Sequence, residues 1–376
     1  MGIIPKVVLP IDVAEPQTLG EVVNDLGRRL REGRIEDYLP IPTGFAPLDR
    51  YLGGGLHTED LVLVGGIQNV GKTVSVLQMA RNIACCGRAL AIVVCYEHSP
   101  LYLLHRLLCL ESIDPTRESP GGGVTRDAIG AAVVEALRRG ERVAFDWLLE
   151  RVPGAAAAWR KMAGYLEGMW LVLGDGMRTR VDVLGQYVEL ALEKGYRDVV
   201  LFVDYLQIVP VRPALTGEQY GDVQRIGMVI KALKTIALQH HIPVVAVAAA
   251  DEESLRQQRV HLENLFGPAL MQYEPDVALI LNRGGMPEGG CSRPVRWAIE
   301  KNRGGPSEVE MEMILHGPYY AFNPVGREVS AGESYQGERV ALRERRASAP
   351  GSAPALDAVG ERLAAGRDRV IESVAD

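Results

Sequence analysis

The chain has 376 residues, 47% of them hydrophobic, a formal net charge of −7 and five cysteines. That length and apolar content suit one large domain with tails or two average ones, and the acidic balance excludes blanket affinity for nucleic acid while leaving room for a local basic channel. No apolar run is long enough to span a bilayer, the start MGIIPKVVLPIDV reads as neither signal peptide nor anchor, and an odd cysteine count without a C-x-x-C pair points to reduced thiols in the cytoplasm.

Along the chain, an N-terminal segment (1–40) carries an amphipathic helix from Thr18 to Leu30, with Leu19, Val22, Val23, Leu26 and Leu30 on one stripe. Two partners stand open for that stripe: its own domain or a neighbouring subunit. From 41 to 325, strands and helices alternate. Strands are expected at Leu61–Gly65, Ala89–Tyr96, Met169–Leu173, Val199–Asp204, Pro243–Ala248, Asp276–Asn282, Val295–Lys301 and Val309–Ile314. Near-continuous apolar strands separated by helices predict an α/β fold: a mainly parallel sheet covered on both faces, ending in an antiparallel meander. Leu110–Gly168 reads as a helical excursion broken at SPGGG. Glu218–His240 reads as a helix with Val223, Ile226, Ile230, Leu233 and Ala237 on one stripe. The segment 326–376, rich in Gly, Ala, Ser, Pro and charge, reads as a disordered tail.

After the first of these strands comes GGIQNVGKT, in which Gly66, Gly71, Lys72 and Thr73 complete the pattern G-x-x-x-x-G-K-S/T. Glycines let the loop Gly66, Ile67, Gln68, Asn69, Val70, Gly71 turn its N–H groups inward as a nest for phosphates, and the next helix adds its positive end. Lys72 supplies a point charge to the β- and γ-phosphates, and the Thr73 hydroxyl suits Mg²⁺, which takes only oxygen ligands. A nucleoside triphosphate with Mg²⁺ is therefore the expected ligand pair. In an open parallel sheet ligands bind beyond the carboxyl ends of the strands, which singles out two acids. Asp204 ends VVLFVD, where it can hold the metal; Glu97 ends LAIVVCYE, where it can activate a water. Farther on, Lys301 and Arg303 in EKNRGGPS alternate along a strand end and should project together, either toward a γ-phosphate or as a solvated basic turn. Cys95, His98, His105 and Cys109 lie close in sequence, but their spacing fits no common zinc pattern, so they read as buried thiols and solvated imidazoles.

The successive segments IPTGFAPLDRYLGGGL, GGIQNVGKT, RLLCLESID, VVLFVDYLQIV and EKNRGGPS resemble, in order, those of the C-terminal ATPase domain of the DnaB-type replicative DNA helicases, a RecA-like fold. The resemblance covers Ile41 to Phe322. It implies nucleotide binding by Gly66 to Thr73, a catalytic base at Glu97, a Mg²⁺ site with Asp204, and Lys301 with Arg303 acting across a subunit boundary. It further implies a homo-oligomer, a hexameric ring held by the helix before the domain, acting on single-stranded DNA with a protein loader or replication partner. Three departures stand out. The family's primase-facing N-terminal domain has no counterpart in the residues before 41; Ala249 stands where the family has a glutamine; and Asn264, Leu265, Phe266 and Gly267 replace a segment whose arginine touches DNA. Arg225, Lys231, Lys234, Arg256 and Arg259 leave some basic character, with Arg256 and Arg259 open as a pore contact or as a solvated charge run. The repair ATPase RadA is a related likeness through LDRYLGGGL and KNRGG, but its zinc-ribbon cysteines are missing. The sequence thus supports an ATP-dependent DNA helicase or translocase of the DnaB type, with hydrolysis at subunit interfaces coupled to movement on single-stranded DNA, and, from a different class, an ATP-gated assembly module that engages a protein partner without unwinding DNA.

Overall fold

A computed structural model describes residues 16–33, 38–118, 120–212, 220–254, 257, 259–285 and 291–330. Arg256 and the tail beyond 330 therefore lie outside the described residues. Contacts group the chain into a unit ending at Glu328 and a second beginning at Val329, and all the described helices and strands belong to the first. None of the helices is long and apolar enough to cross a membrane, among the described residues.

The chain runs α1 (Leu19–Arg31), α2 (Ala46–Tyr51), β1 (Leu61–Gly66), α3 (Lys72–Cys86), β2 (Leu90–Cys95), α4 (Pro100–Glu111), α5 (Arg126–Arg138), α6 (Phe145–Arg151), α7 (Ala155–Met162) and β3 (Met169–Leu173). It continues through α8 (Val181–Glu193), β4 (Val199–Asp204), α9 (Asp222–His240), β5 (Val244–Ala249), α10 (Leu270–Tyr273) and β6 (Val277–Arg283). The strands β7 (Ser292–Asn302), β8 (Val309–His316), β9 (Ala321–Phe322) and β10 (Arg327–Glu328) complete it. One sheet takes the order β10-β8-β7-β6-β1-β5-β4-β2-β3, with β9 on β8. Strands β6 through β3 in that order are parallel, and β7, β8, β9 and β10 add an antiparallel flank. Every residue of β1, β2 and β4 is buried. Because side chains alternate across a strand, that pattern requires cover on both faces, as the apolar runs implied.

Two details differ from the sequence reading for clear reasons. Helix α9 starts at Asp222, so Val223 falls in its first turn and is half exposed, while Val229 and Ile236 join Ile226, Ile230, Leu233 and Ala237 in the core. Strand β7 begins at Ser292, three residues early, because its register with β8 carries on to Ser292 opposite His316. Helix α1 starts from a capping box, Glu21 N–H to Thr18 Oγ1 at 3.2 Å and Thr18 N–H to Glu21 Oε2 at 2.6 Å, yet buries no residue. Its stripe from Leu19 to Leu30 stays between 40% and 79% exposed, so within one chain the first of its two candidate partners is not taken.

The antiparallel flank grips the phosphate-loop helix. Phe45, Trp297 and Phe322 form an edge-to-face cluster, with Trp297 centred 4.8 Å from Phe45 and 5.1 Å from Phe322. The Gln78 amide on α3 closes both backbone groups of Phe322, at 2.8 and 2.7 Å. A Cβ on Gly71 would sit 2.7 Å from the Phe322 ring, and one on Gly66 would sit 2.4 Å from the Leu281 carbonyl. Both glycines also have positive φ, 102° and 145°, so no other residue fits either end of this loop.

Candidate active site

The strand register brings the chemistry to one edge. Gly66 pairs with Ala249 and Cys95 with Asp204, so β1, β5, β4 and β2 end side by side. A cleft of about 720 Å³ opens over them, lined among others by Gln68, Asn69, Gly71, Lys72, Thr73, Glu97 and Asp204. Within the loop, Ile67 and Val70 are buried anchors, whereas Gln68 and Asn69 are exposed to the cleft. Gly66, Ile67 and Val70 therefore serve a phosphate through loop shape and backbone N–H, not through side chains.

Lys72 sits over the loop, its Nζ donating to the carbonyls of Gly66 (2.9 Å) and Ile67 (2.7 Å). Burial lowers its pKa to about 8, against the pull of Asp204 and Glu97. Asp204 is 2% exposed. Its Oδ2 accepts from the Cys95 thiol at 3.8 Å, and its Oδ1 has no partner. Burial raises this carboxyl to about 6; Glu97 adds to the rise, and Thr73, Lys72 and Arg106 oppose it. A buried carboxylate oxygen left open beside a threonine hydroxyl fits a hard divalent cation, and Thr73 with Asp204 would hold Mg²⁺. Glu97 stands two residues past β2, exposed at the cleft wall.

The sign of the Asp204 shift gives a pH test. Its folded pKa lies above the ordinary 3.8, so the charged form that a cation needs is in place above about pH 7 and is lost as pH falls through about 6. At pH 5 roughly one carboxyl in ten is ionised, so apparent Mg²⁺ affinity in the nucleotide complex is expected to fall between pH 7.5 and pH 5 by about tenfold more than in Asp204→Asn, where only the nucleotide's own phosphate titrates. Calorimetric Mg²⁺ titration at the two pH values checks this.

Three residues at the cleft escaped the sequence reading. Arg106, on α4, is 9% exposed; its Nη2 reaches His98 Nε2 (3.3 Å) and Tyr102 Oη (3.2 Å), while Nε and Nη1 have no partner. Its guanidinium lies 4.7 Å from the Tyr102 ring centre and 4.8 Å from that of Tyr320. A buried cation with no carboxylate against it suits an anionic ligand. The available signal was an arginine between Leu103 and Leu107 on the buried face of a helix. Arg293 from β7 donates to the Asn69 carbonyl, and Tyr320, in the turn between β8 and β9, closes the same wall; both arrive from far along the chain, which no local pattern announces.

Lys301 and Arg303 are not at this edge. Asn302 pairs with Val277, the first residue of β6, and Arg303 N–H donates to the Asp276 carbonyl (2.9 Å), so both cations lie at the amino ends of the parallel strands. A six-residue strand spans about 20 Å, which removes them from the chain's own cleft. They do project together: Lys301 Nζ donates to the Gln272 and Tyr273 carbonyls (both 2.8 Å), and Arg303 to the Tyr273 carbonyl (2.6 Å) and Asp276 Oδ1 (3.0 Å).

The basic residues near the candidate pore are mostly spent internally. The Arg259 side chain is 13% exposed and pairs with the buried carboxylate of Glu310 on β8. Lys234 pairs with Asp276 (2.7 Å), and Arg225 donates to the Gln207 and Val209 carbonyls, leaving Lys231 exposed. Cys95 and Cys109 are buried, and burial pushes both thiols up to about 12, which keeps them protonated.

Residues 40–137 match the family model of the DnaB-like helicase C terminal domain. The chain is 25% identical over 256 residues to the replicative DNA helicase DnaB of Geobacillus stearothermophilus, covering 67% of this chain and 48% of that protein. It is 24% identical over 278 residues to the replicative DNA helicase DnaC of Bacillus subtilis (strain 168), covering 73% and 54%. It thus spans about half the length of the curated relatives it matches. The solved ATPase domain of G40P shares the fold, at a TM-score of 0.61 and 19% identity, over 82% of this chain and 99% of that one. Residues 40–137 thus match a DnaB-like helicase C terminal domain, the wider chain is similar to replicative DNA helicases, and its fold is that of the solved ATPase domain of G40P.

Proposed function

We propose that the protein is an oligomeric, Mg²⁺-dependent ATPase of the DnaB type, whose turnover is coupled to movement on single-stranded DNA. The observation that carries this reading is the split of charged groups between the two edges of the sheet. The loop, Glu97, Asp204 and Arg106 share one cleft, while Lys301 and Arg303 sit at the opposite edge, free to complete the cleft of a neighbouring copy. A head-to-tail arrangement of copies does this and closes into a ring, for which six subunits is the family expectation. In such a site Lys72 and the loop N–H groups hold the phosphates and Arg106 adds positive charge. Glu97 takes a proton from the attacking water. Arg303 of the next copy offsets charge that builds on the transferred phosphate. Mg²⁺, when bound, neutralises phosphate charge. The exposed stripe of α1 would dock on that neighbour, and a loader or replication protein remains a further expected partner, in the cytoplasm.

A second reading is favoured by specific residues. Ala249 brings no hydrogen-bonding side chain to the cleft, Phe266 replaces an arginine, and Arg259 is tied to Glu310, so the DNA-facing charge is thin. On this alternative the chain is an ATP-gated assembly module. Steady-state ATP turnover with and without single-stranded DNA, at low and moderate salt and beside a strand-displacement assay, separates the two. The motor reading expects stimulation that weakens as salt rises. Turnover that ignores DNA at both salts, with no DNA bound, leaves the assembly module.

A further inference from the structure

A single amide joins the active-site edge to the loop 250–265. Gln207 is 5% exposed and lies three residues after Asp204, in the turn Leu206–Ile208. Its Nε2 donates to the carbonyls of Ala249 and Phe266, each at 3.1 Å, and its Oε1 accepts the Ala249 N–H at 3.1 Å. Ala249 and Phe266 are the two feet of the loop. Phe266 N–H donates to the Ala249 carbonyl (3.0 Å), Ala250 bridges Leu265, and Asp251 N–H donates to the Asn264 carbonyl (2.9 Å). Beyond its feet the loop is fastened to β6 and β7. Asn282 brackets both backbone groups of Val260 (2.7 and 2.9 Å), and Glu300 accepts from Leu262 N–H (2.7 Å) and contacts His261 (2.8 Å). On the other side Arg225 holds the Gln207 turn against α9, through the Gln207 (2.5 Å) and Val209 (3.1 Å) carbonyls.

Asp204 and Ala249 line the same cleft, but Ala249 has no group that could report on a ligand. The only side chain hydrogen-bonded to both feet of the loop belongs to the turn that leaves Asp204, among the described residues. We propose that Gln207 is a positioning residue that couples the ligand state of the Asp204 turn to the loop 250–265, standing in for the absent side chain at position 249. The proposal rests on the reading of this cleft as the nucleotide site. A change at Asp204 moves a turn three residues long; the amide then shifts both feet together, because three hydrogen bonds must move or break with it. An apolar side chain of similar length removes all three bonds and leaves the feet joined to each other and, through Ala249, to Gly66 of β1.

Amide hydrogen exchange across 249–266, with and without Mg²⁺ and a non-hydrolysable ATP analogue, reads the coupling directly. In the unaltered protein the analogue is expected to change exchange in this segment by roughly tenfold. In Gln207→Met that difference should shrink to within about twofold, with analogue affinity and DNA-free turnover within about threefold of the unaltered protein. Gln207→Glu keeps the acceptor for Ala249 N–H and loses both donations, so it should fall between the two; it also carries the comparison if the Met variant does not fold. A full analogue-dependent difference in both variants overturns the proposal. An unaltered protein that binds the analogue without any change at the loop overturns it alone, whereas one that binds no nucleotide removes the active-site reading and this proposal with it.

Discussion

Replacing Arg303 with alanine is expected to lower ATP turnover of the assembled protein by about 10³-fold while nucleotide affinity stays within a few-fold. The cation is absent from its own cleft, so truncating it cannot disturb the loop, Lys72 or Asp204 in the same chain. Nor should it unfold the protein. Arg303 is half exposed, and an exposed ion pair contributes about 0–1 kcal/mol. Asp276, which it would leave behind, keeps Lys234 Nζ (2.7 Å) and Leu61 N–H (2.8 Å) on Oδ2, and its Oδ1, which loses Arg303, opens toward the water that meets the half-exposed guanidinium. The comparison that checks this is turnover per site beside a thermal melt. An unchanged melting midpoint with turnover lost is the expected pair. Lys301→Ala should fall short of this effect, since its ammonium shares the Tyr273 carbonyl with Arg303 but lacks a planar fork for a phosphate.

Glu97→Gln is expected to lower turnover by about 10²- to 10⁴-fold with nucleotide binding retained. Glutamine matches the size of glutamate and cannot accept a proton, so the variant isolates the base from the shape of the site. The Glu97 carboxylate is exposed and makes no hydrogen bond or ion pair among the described residues, which leaves its removal without a structural cost. Removing a negative group from beside Lys72 and the phosphates should even tighten nucleotide binding slightly. Equilibrium titration of a fluorescent nucleotide and a steady-state rate on the same preparation check both halves.

The parts of this fold written in local sequence were those with a local cause. LVLVGG, LAIVVC and VVLFVD are apolar at consecutive positions, which only a strand buried on both faces needs, and the parallel-sheet rule then put Asp204 and Glu97 at one edge. Helix α1 was announced by its apolar stripe, and the capping box of Thr18 and Glu21 marks its start in the structure. What local sequence lacked was any account of partners far along the chain. Arg259 looked free because Glu310, which pairs with it, lies 51 residues later. Arg106 looked like one more charge on a helix because Tyr320, under its guanidinium, arrives only with the last strands. Lys301 and Arg303 were read correctly as a pair on one side of the chain, but which edge of the sheet they occupy depends on β7 running antiparallel to β6, a tertiary fact. The α1 stripe is of a third kind: its pattern is plain in the sequence, while its cover is absent from a single chain.

The claim at the centre is that one active site is built from two copies, and subunit mixing tests it most directly. Arg303→Ala and Glu97→Gln chains, each nearly inactive alone, are combined under conditions where labelled subunits are seen to exchange. A head-to-tail assembly then forms intact interfaces, Glu97 from one variant facing Arg303 from the other, at about a quarter of positions in an equal random mixture. Turnover recovering to a sizeable fraction of that share is the predicted result. No recovery despite demonstrated exchange would contradict the account, because both halves of every site would then have to come from one chain.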